Sequence, residues 1–192
     1  MNEASFMVSY RRYYQTSEEE FLTSMRYVEL SAHNYGTHSI SYATQLLNIC
    51  SIVEAVFKMI CGYAPTDEKT ITAFASYLID SYPGLTEHEV TVLGLNDQVI
   101  PFGGWDKRKP KQSLFWWSDY QEVKHSRETH FFKANLKNVL YALAALYLLE
   151  CYLLRSIRDE ENPAMPNLES KLFSLPDQVR PQRPPRRRSD SL

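Results

Sequence analysis

LKNVLYALAALYLLECYLL, Leu136 to Leu154, is the stretch on which the fold turns. Only Lys137, Asn138 and Glu150 interrupt its apolar character, and it is about as long as a bilayer span. Those residues leave Val139 to Leu149 as the uncharged run, too short to cross hydrocarbon. A helix that is apolar all round is also what the middle of a bundle requires. The stretch is therefore expected to be a buried central helix around which the other elements are arranged.

Upstream, Leu46, Leu47, Ile49, Cys50, Val53, Val56, Phe57 and Ile60 recur at steps of three and four, which predicts a helix from Ser39 or Ser41 to Gly62. Glu54 and Lys58, four apart on it, read as a surface ion pair. Ser17 followed by Glu18, Glu19 and Glu20 has the form of an N-cap with an acidic first turn. It predicts a first helix ending near Asn34 to Gly36, with residues 1–16 as an N-terminal extension. A third helix is expected from about Asp67 to Ser81, stopped by Pro83 and Gly84.

The period then changes. Glu89 to Pro101 carries short β-type runs around Asn96 and Asp97, predicting a small hairpin or irregular excursion, and Gly103, Gly104, Pro110 and the lysine-rich run 107–111 mark a loop. Helical character resumes at Leu114 with a break near His125 to Glu128. The fold class is thus expected to be all-α, an up-and-down bundle of about four or five helices with a small insertion before the penultimate one. The bundle would occupy 17–160.

The segment 161–192 is expected to be a Pro/Arg-rich, largely disordered tail, with Leu168, Leu172, Phe173 and Leu175 packing back on the body. From Asp177 onward five arginines face two aspartates, so a total charge of −2 hides a tail at +3 and a body at −5. The body is not a basic object that attracts phosphate through its overall field, and any nucleic-acid contact must be local. RPQRPPRRR could itself be a polyproline ligand or a nucleic-acid contact, or a solubilising extension.

Cys50, Cys61 and Cys151 lie in apolar, helix-like stretches without CxxC spacing, which argues against a disulfide framework or structural zinc and for reduced core residues. The N-terminus has no apolar export signal, so the cytosol is the expected compartment, with no membrane association. With 13 Tyr, 9 Phe and 3 Trp, the core should be rich in aromatic contacts.

The densest polar cluster in an apolar neighbourhood is Tyr120, Lys124, His125, Arg127 and His130. Helical spacing places Tyr120, Lys124 and Arg127 along one side and His125 on the adjoining one. Two cations, an imidazole and a phenol at a helix entrance could hold a phosphate and exchange a proton near neutral pH. The same residues also fit a plain alternative, in which Lys124 and Arg127 are solvated and His125 packs at a helix junction. No metal-ligand pattern, glycine-rich phosphate loop or nucleophile elbow occurs, so neither metal nor cofactor is expected.

WWSDYQEVKHSRETHFFKANLKNVLYALAALYLLECYLL, Trp116 to Leu154, resembles the terminal helical segment of HEPN-superfamily proteins, and SYATQLLNICSIVEAVFKMI is similar in character to another of their helices. Those are small helical bundles of bacterial toxins, phage-defence factors and RNA-processing nucleases. The resemblance implies a homodimer whose two subunits bring an arginine and a histidine into one cleft. Cleavage of RNA there needs no metal: a 2′-hydroxyl attacks, histidine moves the proton and arginine stabilises the phosphorane.

Counting back from His125, Tyr120 and Gln121 occupy the positions of that family's arginine and its polar neighbour. Arg127 would then supply the guanidinium from the other side. Arg26 and His33, with six residues between them, fall on the first helix and are set aside. His125, Arg127, Lys124 and Tyr120 are the candidate catalytic residues of a metal-independent ribonuclease or toxin-type effector. The alternative is a non-catalytic module of the same fold that binds RNA, a nucleotide or a protein partner such as an antitoxin.

Overall fold

A computed structural model describes residues 1–95, 97–158 and 165–176. The chain is mostly helical, and a small three-stranded sheet makes it other than purely all-α. The elements in order are α1 (Glu3–Phe6), a π turn (Met7–Arg11), α2 (Arg12–Ser24), α3 (Ile40–Ile60), α4 (Ile71–Ser81), β1 (Val90–Val92) and β2 (Asp97–Val99). These are followed by α5 (Pro110–Ser113), α6 (Phe115–His125), α7 (Arg127–His130), α8 (Leu136–Arg158) and β3 (Phe173–Ser174).

Helix α8 is buried without interruption from Ala142 to Leu154, and its main packing partner is α3. Both helices are long and apolar enough to pass a membrane-span test by composition. In α8, 78% of the most apolar window is covered by the rest of the protein. Helix α3 begins as its sequence indicates, with the Ser39 hydroxyl accepting from the Tyr42 amide at 3.0 Å, and turns out of the helix at Gly62, whose φ of +67° favours glycine. Lys58 and Glu54 lie 3.7 Å apart on its surface.

The N-terminus corrects the sequence reading. Helix begins at Glu3, where the Asn2 side chain accepts from the Ser5 amide at 2.9 Å, and runs on through residues expected to be an extension. The π turn is the physical reason. Its wider turn makes a five-residue step from Phe6 to Arg11, after which Tyr14, Glu18 and Phe21 follow at helical steps, and all five are buried. Ser17 is buried inside α2 and does not cap it, and α2 stops at Ser24, well before Asn34. Burial of Phe6 and Tyr14 contributes about 2 kcal/mol each.

Arg11 and Glu150 form an ion pair inside this core, Nη1 to Oε2 at 3.2 Å, with the guanidinium also over the Tyr14 ring at 4.5 Å. Burial pushes the Glu150 carboxyl up to about 7 despite the opposing pull of Arg11, and its Oε1 accepts no hydrogen bond. Glu18 uses one carboxylate oxygen as a clamp: it accepts from the amides of Lys171 and Leu172, both at 3.1 Å, from Tyr14 at 2.9 Å and from the Ser170 hydroxyl. Arg11 donates to the Glu169 carbonyl, and the Tyr147 hydroxyl points at Asn167 Oδ1 and the Leu168 carbonyl.

Residues 165–176 therefore pack back as a strap. Leu172, Phe173 and Leu175 are buried as expected, and β3 extends the sheet to the order β2-β1-β3, both pairings antiparallel. The remainder of the expected tail, 161–164 and 177–192 with its arginine run, lies outside the described residues. All three cysteines are buried. Burial raises the Cys50 thiol well above its ordinary value and Cys151 to about 12.

Candidate functional site

The loop before α6 is pinned by aromatic packing, and this fixes the orientation of α6. Phe57 of α3 meets Phe74 at 5.2 Å and both Trp105 and Trp117 at 5.8 Å, while the Trp116 indole donates to the Pro101 carbonyl at 2.7 Å. With Trp116, Trp117, Tyr120 and Val123 turned inward, the end of α6 presents Lys124 and His125 to solvent. Both side chains sit in the helix's last turn, where unsatisfied carbonyls favour positive charge such as that of Lys124.

The expected break falls at Ser126, whose backbone leaves the helical region at φ −142°, ψ 52°. The candidate cluster therefore precedes the last long helix by a turn, α7, and a 3-10 segment, Phe131–Lys133, and does not open it. Tyr120 and Lys124 share a side, with the ammonium 5.6 Å from the ring centroid. Arg127, on a separate turn, lies over Phe131 at 5.5 Å. His125 and Arg127 are both exposed, and among the described residues no hydrogen bond joins either to the other or to Lys124 or Tyr120.

Tyr120 is buried beside Trp117, ring centroids 5.1 Å apart, and burial together with Cys50 and Glu54 raises its phenol above the ordinary value. It packs, and its proton is out of reach of neutral-pH exchange. His130 is also drawn away. Its Nε2 lies 3.2 Å from Glu122, which in turn takes Lys133 at 2.6 Å, and Lys133 reaches Asp119 at 2.8 Å. Asn138 donates to Asp119 and to the Lys133 carbonyl, both at 2.8 Å. The hydrogen bond from Lys133 holds Glu122 below its usual range. This network ties α6 to α8 across the break.

Lys124 also borders a cleft of about 430 Å³ between α3, α4 and α6. Two further lysines, Lys69 and Lys111, line it, with Ser118 and Gln121 beside them and Phe74 and Trp117 beneath. Among the described residues none of these three ammonium groups has a carboxylate within ion-pair distance, whereas Glu54 and Glu122 on the same rim are engaged by Lys58 and Lys133. Lys69 lies over Tyr63 at 4.8 Å.

No family model, curated protein or solved structure matches the chain. The sequence marks Lys124 in the polar cluster, Lys111 only as part of a basic loop 13 residues away, and Lys69, 55 residues away, by no pattern. They line one cleft because the segment leading into α4 and helix α5 are both placed beside α6.

Proposed function

We propose that this chain is a non-catalytic helical module, of the HEPN type in its up-and-down arrangement, that binds RNA or a nucleotide through phosphate. The observation that carries this reading is that Lys69, Lys111 and Lys124 line one cleft and, among the described residues, none of them is paired with a carboxylate. Unpaired ammonium groups repel one another until an anion joins them, so a phosphate gains from all three at once. Arg127 extends the cationic edge past the end of α6, with the exposed His125 beside it in the chain. Labelled single-stranded RNA titrated with the full chain tests the reading: wild type is expected to bind, and the triple variant Lys69→Gln/Lys111→Gln/Lys124→Gln to lose about tenfold or more in affinity.

A metal-independent ribonuclease, or a toxin-type effector, is the second reading, favoured by the joint exposure of His125 and Arg127 across the Ser126 break. In it a homodimer completes the cleft, the imidazole moves the proton and the guanidinium meets the phosphate charge. Among the described residues neither is held in a hydrogen-bonded arrangement, and the buried Tyr120 adds nothing to the chemistry, so binding is the better supported of the two. Total RNA incubated with wild type and His125→Ala at several pH values separates the readings: cleavage lost in the variant supports the nuclease. A protein partner of the antitoxin kind and a cytosolic location complete the proposal.

A further inference from the structure

Among the described residues three charged side chains are buried, Arg11, Glu18 and Glu150, and they lie together beneath the strap 165–176. Two carboxylates meet one cation there. The strap supplies what water otherwise would: the Glu169 carbonyl accepts from Arg11, and the Lys171 and Leu172 amides and the Ser170 hydroxyl donate to Glu18 Oε1. It supplies nothing to Glu150 Oε1, which accepts no hydrogen bond. Its one ammonium, on Lys171, is exposed and turns to Glu19 at 3.6 Å.

The elements around Glu150 do not balance this excess of negative charge. The π turn brings Arg11, α2 brings Tyr14 and Glu18, and α8 itself brings Tyr147 and Cys151, whose phenols and thiol are kept neutral by burial. On α3, Glu54 and Lys58 pair with each other at the surface, Cys50 lies toward Lys124 of α6, and the Tyr42 hydroxyl makes no hydrogen bond. Asp119 and Glu122 of α6 are engaged by Lys133, and Glu3 of α1 by Arg158.

The cluster is therefore neutral only while Glu150 keeps a proton. Burial raises that carboxyl to about 7 against the pull of Arg11, with Glu18 adding to the rise. An open strap admits water, in which the carboxyl returns toward its ordinary 4.5. The closed state holds the proton more tightly than the open one. Closure is thus favoured in mild acid, weakens as pH rises across that window and stays level above it. The strap is built to move by itself, since only Phe173 and Ser174 of it join a regular element, at the edge of the sheet. We propose that residues 165–176 are a pH-operated latch, shut over Arg11, Glu18 and Glu150 while Glu150 is protonated and loosened when it ionises, which frees the edge of β1 with the helices intact.

The test is amide hydrogen exchange of the full chain, followed residue by residue by NMR from pH 5 to pH 8 and corrected for the intrinsic pH dependence of exchange. The Lys171, Leu172 and Phe173 amides are expected to be less protected than Phe57 of α3, with protection falling about tenfold or more between pH 5 and pH 7 and levelling off above. In Glu150→Gln their protection should not change with pH. In His88→Gln, which removes a partly buried imidazole two residues before β1, the wild-type fall should remain. Strap amides as protected as Phe57, a fall that survives Glu150→Gln, or one abolished by His88→Gln overturns the proposal. The wild-type profile decides even where a variant fails to fold, because strap protection independent of pH also overturns it.

Discussion

Replacing Glu150 by Gln should stabilise the protein at alkaline pH and leave it unchanged in mild acid. Gln keeps the shape of the protonated acid and an oxygen for the Arg11 guanidinium, now 3.2 Å from the carboxylate. Two effects compete in the wild type. Removing one partner of a buried pair ordinarily destabilises by about 3–5 kcal/mol, because a charge is left alone. Against this, burial in α8 outweighs Arg11 and holds the carboxyl at about 7 in place of 4.5. Between those values the folded protein keeps a proton that the unfolded chain has lost, so Glu150 makes stability fall as pH rises across the window, by about 3 kcal/mol in total, and stay level above it. Gln has no such slope. Urea unfolding followed through the buried Trp105, Trp116 and Trp117 should therefore give Glu150→Gln within about 1 kcal/mol of wild type near pH 5, and about 2–3 kcal/mol more stable near pH 8. A variant less stable than wild type at pH 8 would show that ion pairing outweighs desolvation here and refute the reasoning.

Glu18→Ala removes the acceptor of two strap amides, and should cost about 2–4 kcal/mol while trypsin cuts after Lys171 faster than in wild type. An uncut strap in that variant would mean that β3 pairing alone holds it. Tyr120→Phe should leave RNA affinity within about twofold, since the phenol is buried and packs on Trp117; a tenfold loss would return Tyr120 to the site. A thiol reagent at mildly alkaline pH should leave Cys50 and Cys151 unmodified in the native protein and label both in denaturant, because burial raises both thiols. Rapid native labelling of either would contradict their place in the core.

The central helices were legible because each is long and strongly periodic: α3 starts at the serine and ends at the glycine that the pattern marks, and α8 is apolar on nearly all sides since it is covered on nearly all sides. The hairpin was announced by a change of period, and the break at Ser126 falls within the stretch His125 to Glu128 where the helical region was expected to be interrupted. The start of the N-terminal helix is masked in the sequence because Glu18, Glu19 and Glu20 after Ser17 imitate a capping signal, although Phe6, Tyr10, Tyr14 and Phe21 already carry helical spacing upstream. Glu18 looked like a first-turn acid, and only the strap 153 residues later reveals it as an acceptor. The same holds for the candidate site. Lys124, His125 and Arg127 stand out locally, but a polar cluster in sequence does not say which members face one way. Tyr120 turned inward, His130 paired with Glu122, and Lys69 and Lys111 arrived from elements with no motif of their own.

The salt dependence of RNA affinity addresses the lysine cleft most directly. Single-stranded RNA bound through Lys69, Lys111 and Lys124 releases counterions, so log affinity should fall linearly with log salt, and the triple glutamine variant should flatten that slope by about 2. Wild type that does not bind, or a variant with the wild-type slope, would contradict the account.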